Sequence, residues 1–169
     1  MAEDEIAAIQ SATIDHLTQM SNRRGFEVLG NHVLATCARL SLPATLLFFD
    51  LDGFKQINDQ HGHSEGDRAL QRFAEAMSLT FRTSDVYARL GGDEFVVLLS
   101  NTSEPEIHAA LERLQHAIDA SNANVVPGLH LRFSAGAVTS EAGSEDIAAL
   151  LRKADQRMYE NKRLRRTAV

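Results

Sequence analysis

Apolar residues repeat at two spacings along the chain, and the spacings mark out its elements. Phe26, Leu29, Val33, Cys37 and Leu40 recur every three or four residues, so 22–40 is read as an amphipathic helix, with Pro43 barring its continuation. Thr45-Leu46-Leu47-Phe48-Phe49, within 44–51, is short and almost wholly apolar, the pattern of a strand buried on both faces, and it runs out on Asp50 and Asp52. A short helical turn is expected over 54–60. Leu70, Phe73, Met77 and Phe81 then mark a helix starting near Ser64. Residues 85–90 and 94–100 read as strands around Gly91-Gly92-Asp93, and the glycine pair predicts a tight hairpin with both glycines at its centre. Ser103 and Glu106 form a capping box for a helix carrying Ile107, Leu111, Leu114 and Ile118. A loop or edge segment follows over 122–127, then a strand over 129–139. A last helix, capped by Ser144, turns Ile147, Leu150, Leu151, Ala154 and Met158 inward. These elements predict an α/β fold in which helices flank a central mixed sheet of about five strands. Ile6, Ile9 and Thr13 share one face of a first helix, 1–17, too short to be stable alone and therefore docked or continuous with something upstream.

The length of 169 residues, with 44% hydrophobic and 24% charged, fits one compact folded domain. No apolar run reaches the roughly 18–20 residues that span a bilayer, and the opening Met1-Ala2-Glu3-Asp4-Glu5 is too acidic for a signal peptide, so no direct membrane contact is expected. Cys37 is the sole cysteine and sits in an apolar pattern, as a core side chain in a reducing, cytoplasmic setting would. The net charge of −6 is unevenly spread: seven of the 17 basic residues lie beyond Leu151, opposed there by only Asp155 and Glu160. The acidic body argues against a nucleic-acid polymer as partner. The basic tail is either a solvated helix end, favoured by the helix dipole, or a holder of phosphate.

Candidate chemistry gathers at two turns. Asp50 and Asp52, two apart at a strand end, point to one face and invite a hard cation such as Mg²⁺. Gly53-Phe54-Lys55 follows them, and the free N–H groups of a helix start there suit an anion. Asp93 and Glu94 add two acids at the hairpin tip. Ser64 and Asp67, three apart, read by themselves as a helix cap. His61 and His63 lack a third ligand at zinc spacing and are read as loop or packing residues.

Gly91-Gly92-Asp93-Glu94-Phe95 resembles the signature of GGDEF-domain diguanylate cyclases, and further motifs agree in order and spacing: Asp15-His16-Leu17-Thr18, Asn22-Arg23-Arg24, 49–59, Gly62-His63-Ser64-Glu65-Gly66-Asp67, Ala154-Asp155, Met158-Tyr159 and Lys162. The resemblance implies a nucleotidyl-cyclase or polymerase-palm-like fold with the signature on a β-hairpin, 18–169 as the catalytic domain, and 1–17 as the end of a stalk or linker from an upstream regulatory region. The implied reaction condenses two GTP into cyclic di-GMP and two pyrophosphates within a transient or stalk-enforced homodimer. Asp50, the Leu51 carbonyl, Asp93 and Glu94 would hold Mg²⁺, with Mn²⁺ as an alternative, and Asp93 would accept the 3′-hydroxyl proton. Asn58 and Asp67 would read guanine. Phe54, Lys55, Lys162 and Arg166 would hold phosphates, with Arg165 as the alternative to Arg166. Arg82 and Asp85 match the family's Arg-x-x-Asp product-inhibition site. Two departures stand out: Gln19 and Met20 replace the usual Gly-Leu after Leu-Thr, and Arg165 stands where the terminal motif usually has glycine. The second reading is a GTP- or cyclic di-GMP-binding receptor without turnover, and the intact acids favour the enzyme. The cytoplasmic setting extends to the cytoplasmic domain of a larger, even membrane-anchored, sensor.

Overall fold

The computed structural model describes residues 1–143 and 145–167; the side chains of Ser11, Arg166 and Thr167 lie outside that description. Its elements run α1 (Ala2–Thr13), α2 (Arg23–Leu40), β1 (Ala44–Leu51), α3 (Phe54–His61), α4 (His63–Thr80), β2 (Val86–Gly91), β3 (Glu94–Ser100), α5 (Glu104–Asn122), β4 (Phe133–Ser140) and α6 (Ile147–Thr167). The sheet has the order β2-β3-β1-β4. Alternation along β1 explains the layers. Leu47, Phe49 and Leu51 pack with α4 and α5 through Leu70, Phe73, Met77, Leu114 and Ile118. Leu46 and Phe48 face the other way, onto Phe26, Leu34 and Cys37 of α2 and Leu150, Ala154 and Met158 of α6. β1 is thus buried on both faces, as its sequence predicts.

Among the described residues the sheet has four strands rather than about five, and every strand pairing is antiparallel rather than mixed. The crossover through α3 and α4 carries the chain past the neighbouring position to β2, and the hairpin then returns β3 into the gap beside β1, which makes each neighbour antiparallel. A single parallel bridge, Ser21 to Ala88, ties the segment after α1 to the sheet edge. The fourth strand starts at Phe133 because residues 127–129 form a 3₁₀ turn. α1 ends at Thr13, short of the predicted Leu17, and Ile6 and Ile9 on it stay exposed. The capping box of Ser103 and Glu106 is present. Ser144, the predicted cap of α6, lies outside the described residues; the Asp146 carboxylate accepts from the Ala149 N–H at 2.8 Å. β4 and α6 touch backbone to backbone: a Cβ at Gly136 would overlap the Met158 nitrogen and the Ala154 carbonyl.

Candidate active site

The site forms where β1 ends beside the β2–β3 turn. Asp50 and Glu94 are direct cross-strand partners, so both carboxylates project from the same face of the sheet, the one covered by α2 and α6. The turn differs from its prediction: Gly91 pairs with Glu94, a bulge precedes it, and the central residues are Gly92 and Asp93 rather than the two glycines. Positive φ is needed at Gly91 (+140°) and Gly92 (+52°), where a side chain would be strained. Asp93 is thereby carried to the tip, and its carbonyl accepts from the Leu51 N–H at 3.2 Å, fixing the turn to the end of β1.

Three acids crowd this corner. Burial, and then the Asp50 carboxylate beside it, push the Asp93 carboxyl up to about 7. Glu94 is also raised, by burial and by Asp155 and Asp50, with Arg23 opposing. Lys162 reaches over from α6, its Nζ 2.6 Å from Asp50 Oδ2 and 3.6 Å from Asp52 Oδ1. Burial alone would lower the Lys162 pKa, but the bond to Asp50 and the charges of Asp52 and Asp93 outweigh it and leave the ammonium firmly protonated. Asp50 Oδ1 is buried and has no hydrogen-bond partner. An orphaned carboxylate oxygen flanked by an acid of raised pKa is the donor set a divalent cation would satisfy, so the residues fit the expected metal. Among the described residues no three acidic, histidine or cysteine groups already converge as a cage.

The predicted guanine readers lie on successive helices, Asn58 on α3 and Asp67 on α4. α4 begins at His63, directly after Gly62, without a side-chain cap, so Ser64 and Asp67 are not a capping pair. Asp67 is instead exposed on the second turn of α4, and Asn58 lies across neighbouring Gly66, where a Cβ would overlap the Asn58 amide. Gly53, in left-handed conformation at φ +72°, turns the chain into α3, so that Phe54 and Lys55 supply its first N–H groups. Lys55 is exposed. Arg166 belongs to α6, but its side chain is outside the description. With no glycine at 165 to end it, α6 runs on through Thr167, and Arg165 reaches back to the Phe133 carbonyl at 2.7 Å.

Arg82 and Asp85 lie at the other end of β2, roughly 20 Å from the signature turn by strand length. There the Asp85 carboxylate accepts from the Arg82 N–H at 2.9 Å, and both line a cavity of about 220 Å³ together with Ser84, Thr102, Glu106 and Arg113. Two site residues were missed by the sequence reading. Arg89 donates to the Gly92 carbonyl at 2.9 Å and to Asp15 at 3.0 Å, joining the segment after α1 to the signature turn. Ser134 donates to both oxygens of Asp52, at 2.8 and 3.1 Å. Arg89 had a signal, a cation two residues before Gly91; Ser134 had none, because its place depends on the β1–β4 register. Gln19, at the usual glycine position, adopts φ +63° and holds that strained shape with an amide bond to the His16 carbonyl at 2.8 Å.

Residues 12–168 match the family described as "Diguanylate cyclase, GGDEF domain". The chain is 34% identical over 152 residues to the probable diguanylate cyclase DgcC of Escherichia coli K12, covering 90% of this chain and 41% of that protein. It is 34% identical over 158 residues to the diguanylate cyclase DosC of the same organism, covering 92% of this chain and 34% of that one. The chain therefore spans about two fifths or less of the length of these relatives. Among solved structures, the GGDEF domain of YfiN (TpbB) from Pseudomonas aeruginosa superposes with a TM-score of 0.80 at 33% identity, covering 89% of both chains. A microbial GGDEF domain solved with bis-(3′,5′)-cyclic di-GMP gives 0.78 at 32% identity, covering 92% of this chain and 93% of that one.

Proposed function

The chain belongs to the GGDEF-domain diguanylate cyclase family, and from that premise we propose that it condenses two GTP molecules into cyclic di-GMP with release of two pyrophosphates. The observation that carries this reading is the corner of Asp50, Asp93 and Glu94, where part-buried carboxyl groups crowd one another around an orphaned carboxylate oxygen. A bound Mg²⁺, held by Asp50, the Leu51 carbonyl, Asp93 and Glu94, would supply neutralisation of charge growing on the α-phosphate and the departing pyrophosphate. Asp93, at the tip of the turn beside that metal, is placed to take the proton from the 3′-hydroxyl as its oxygen bonds to phosphorus and the bond to pyrophosphate breaks. Asn58 and Asp67 offer an amide and a carboxylate to the guanine edge; the carboxylate accepts from N1–H and the 2-amino group, neither of which adenine presents. Lys162 and the N–H groups opening α3 meet the phosphates.

Each 3′-hydroxyl must attack a phosphate held by the other domain, so the reaction needs two loaded copies face to face. We assign α1 to the end of an upstream stalk that would enforce this pairing, and the cavity at Arg82 and Asp85 to product, whose binding would restrain the approach of the two copies. Incubation with Mg²⁺ and either GTP or ATP, with products separated by chromatography, tests the reading. GTP alone is converted to cyclic di-GMP and pyrophosphate, and Asp67→Ala weakens that preference. Conversion of ATP at a comparable rate contradicts the guanine assignment, and tight GTP binding without product in enforced dimers favours the receptor reading.

A further inference from the structure

The two strand-end acids look alike in sequence and are treated differently by the fold. Asp50 keeps one buried oxygen without a partner. Asp52 has both oxygens engaged: Oδ1 takes the Ser134 hydroxyl at 2.8 Å and faces Lys162 Nζ at 3.6 Å, while Oδ2 takes the same hydroxyl at 3.1 Å and faces Arg165 Nη1 at 3.5 Å. Ser134 is 2% exposed and sits in β4, so it fixes Asp52 from the sheet side. Lys162 and Arg165 are three apart on α6 and so share the face turned to Asp52. Arg165 is held a second time, by the Phe133 carbonyl, yet its side chain is 65% exposed, so donors of its guanidinium remain open to solvent.

We propose that Asp52, locked by Ser134, is the anchor that positions Lys162 and Arg165 as a cation pair for the triphosphate tail of the nucleotide, leaving Asp50 alone of the two strand-end acids to serve the metal. Asp52 is then a positioning residue. Arg165, at the position where the family usually has glycine, becomes a phosphate-binding residue. A guanidinium held at a fixed angle can give two parallel N–H bonds to one phosphate, which a backbone glycine cannot do. The assignment of the ligand rests on the GTP reading above.

Dissociation constants for GTP, GMP and inorganic tripolyphosphate, each measured by calorimetry across a Mg²⁺ series, test this on the wild type and on D50N, D52N and R165A. R165A and D52N weaken GTP and tripolyphosphate about tenfold and GMP less than about twofold, as loss of charge-assisted phosphate bonds requires. The Mg²⁺ concentration for half-maximal GTP binding rises in D50N and stays near the wild-type value in D52N. A rise in D52N equal to that in D50N makes Asp52 a metal ligand and overturns the proposal, as does unchanged tripolyphosphate affinity in R165A. R165A alters an exposed side chain and decides the question alone if D52N fails to fold. A wild type that binds tripolyphosphate through Arg165 but not GTP overturns the cyclase reading and leaves the anchor standing; one that binds neither overturns both.

Discussion

Asp93 shows how a single side chain is shaped by its neighbours. In an unfolded chain an aspartate titrates near 3.9; burial and the Asp50 carboxylate raise it in the fold to about 7. Between those two values the folded chain holds more protons at this group than the unfolded chain does. Its contribution is therefore fully present below about pH 4 and is lost as pH rises through about 7. Asp93→Asn removes the charge with little change of shape. Without divalent cations the variant melts a few degrees higher than the wild type at pH 8, about 1 kcal/mol after allowing for solvent screening, and the gap closes toward pH 4. Thermal melts in a chelator across that range check this, and a wild type that is the more stable at pH 8 refutes the crowding of the two acids. On the proposed function the same substitution is expected to abolish turnover, as at a site that gives up stability for function.

At the level of elements, the β4–α6 contact sets the distance from Lys162 to Asp50. Gly136 allows the helix backbone to lie directly on the strand, and Gly136→Ala forces them apart by inserting a methyl group between two backbones. The expected cost is about 2–4 kcal/mol by denaturant unfolding, with GTP affinity falling because Lys162 moves with the helix. A variant as stable as the wild type with unchanged GTP binding contradicts this role of the contact. Most elements were legible in the sequence because apolar spacing reports burial directly: both layers on β1 follow from 44–51, and the capping box fixed the start of α5. Strand order was not legible, since nothing in the apolar spacing of 85–100 says that β3 returns into the gap beside β1. The acids and the signature turn were readable as motifs. The bonds of Ser134 to Asp52 and of Arg165 to Phe133 were not, because they depend on which strand lies beside β1 and on how far α6 continues. The departure at Gln19 was visible, but its left-handed backbone was not.

For the whole molecule, α1 and the signature turn are linked. Asp15, just past α1, grips Arg89, which donates to the Gly92 carbonyl beside Asp93, so the placement of the first helix reaches the reacting corner through two bonds. No helix among the described residues is long and apolar enough to cross a membrane. One domain carries one such corner of acids, whereas the proposed product joins two nucleotides by two reciprocal attacks. The most direct measurement of the central claim is the initial rate of cyclic di-GMP formation at saturating GTP and Mg²⁺ as protein concentration is varied, with Asp93→Asn as the silent control. The rate is predicted to rise faster than the first power of protein concentration until pairing saturates; a rate strictly proportional to protein from the lowest concentrations, in a chain shown to stay monomeric, or product undiminished in Asp93→Asn, would contradict the account.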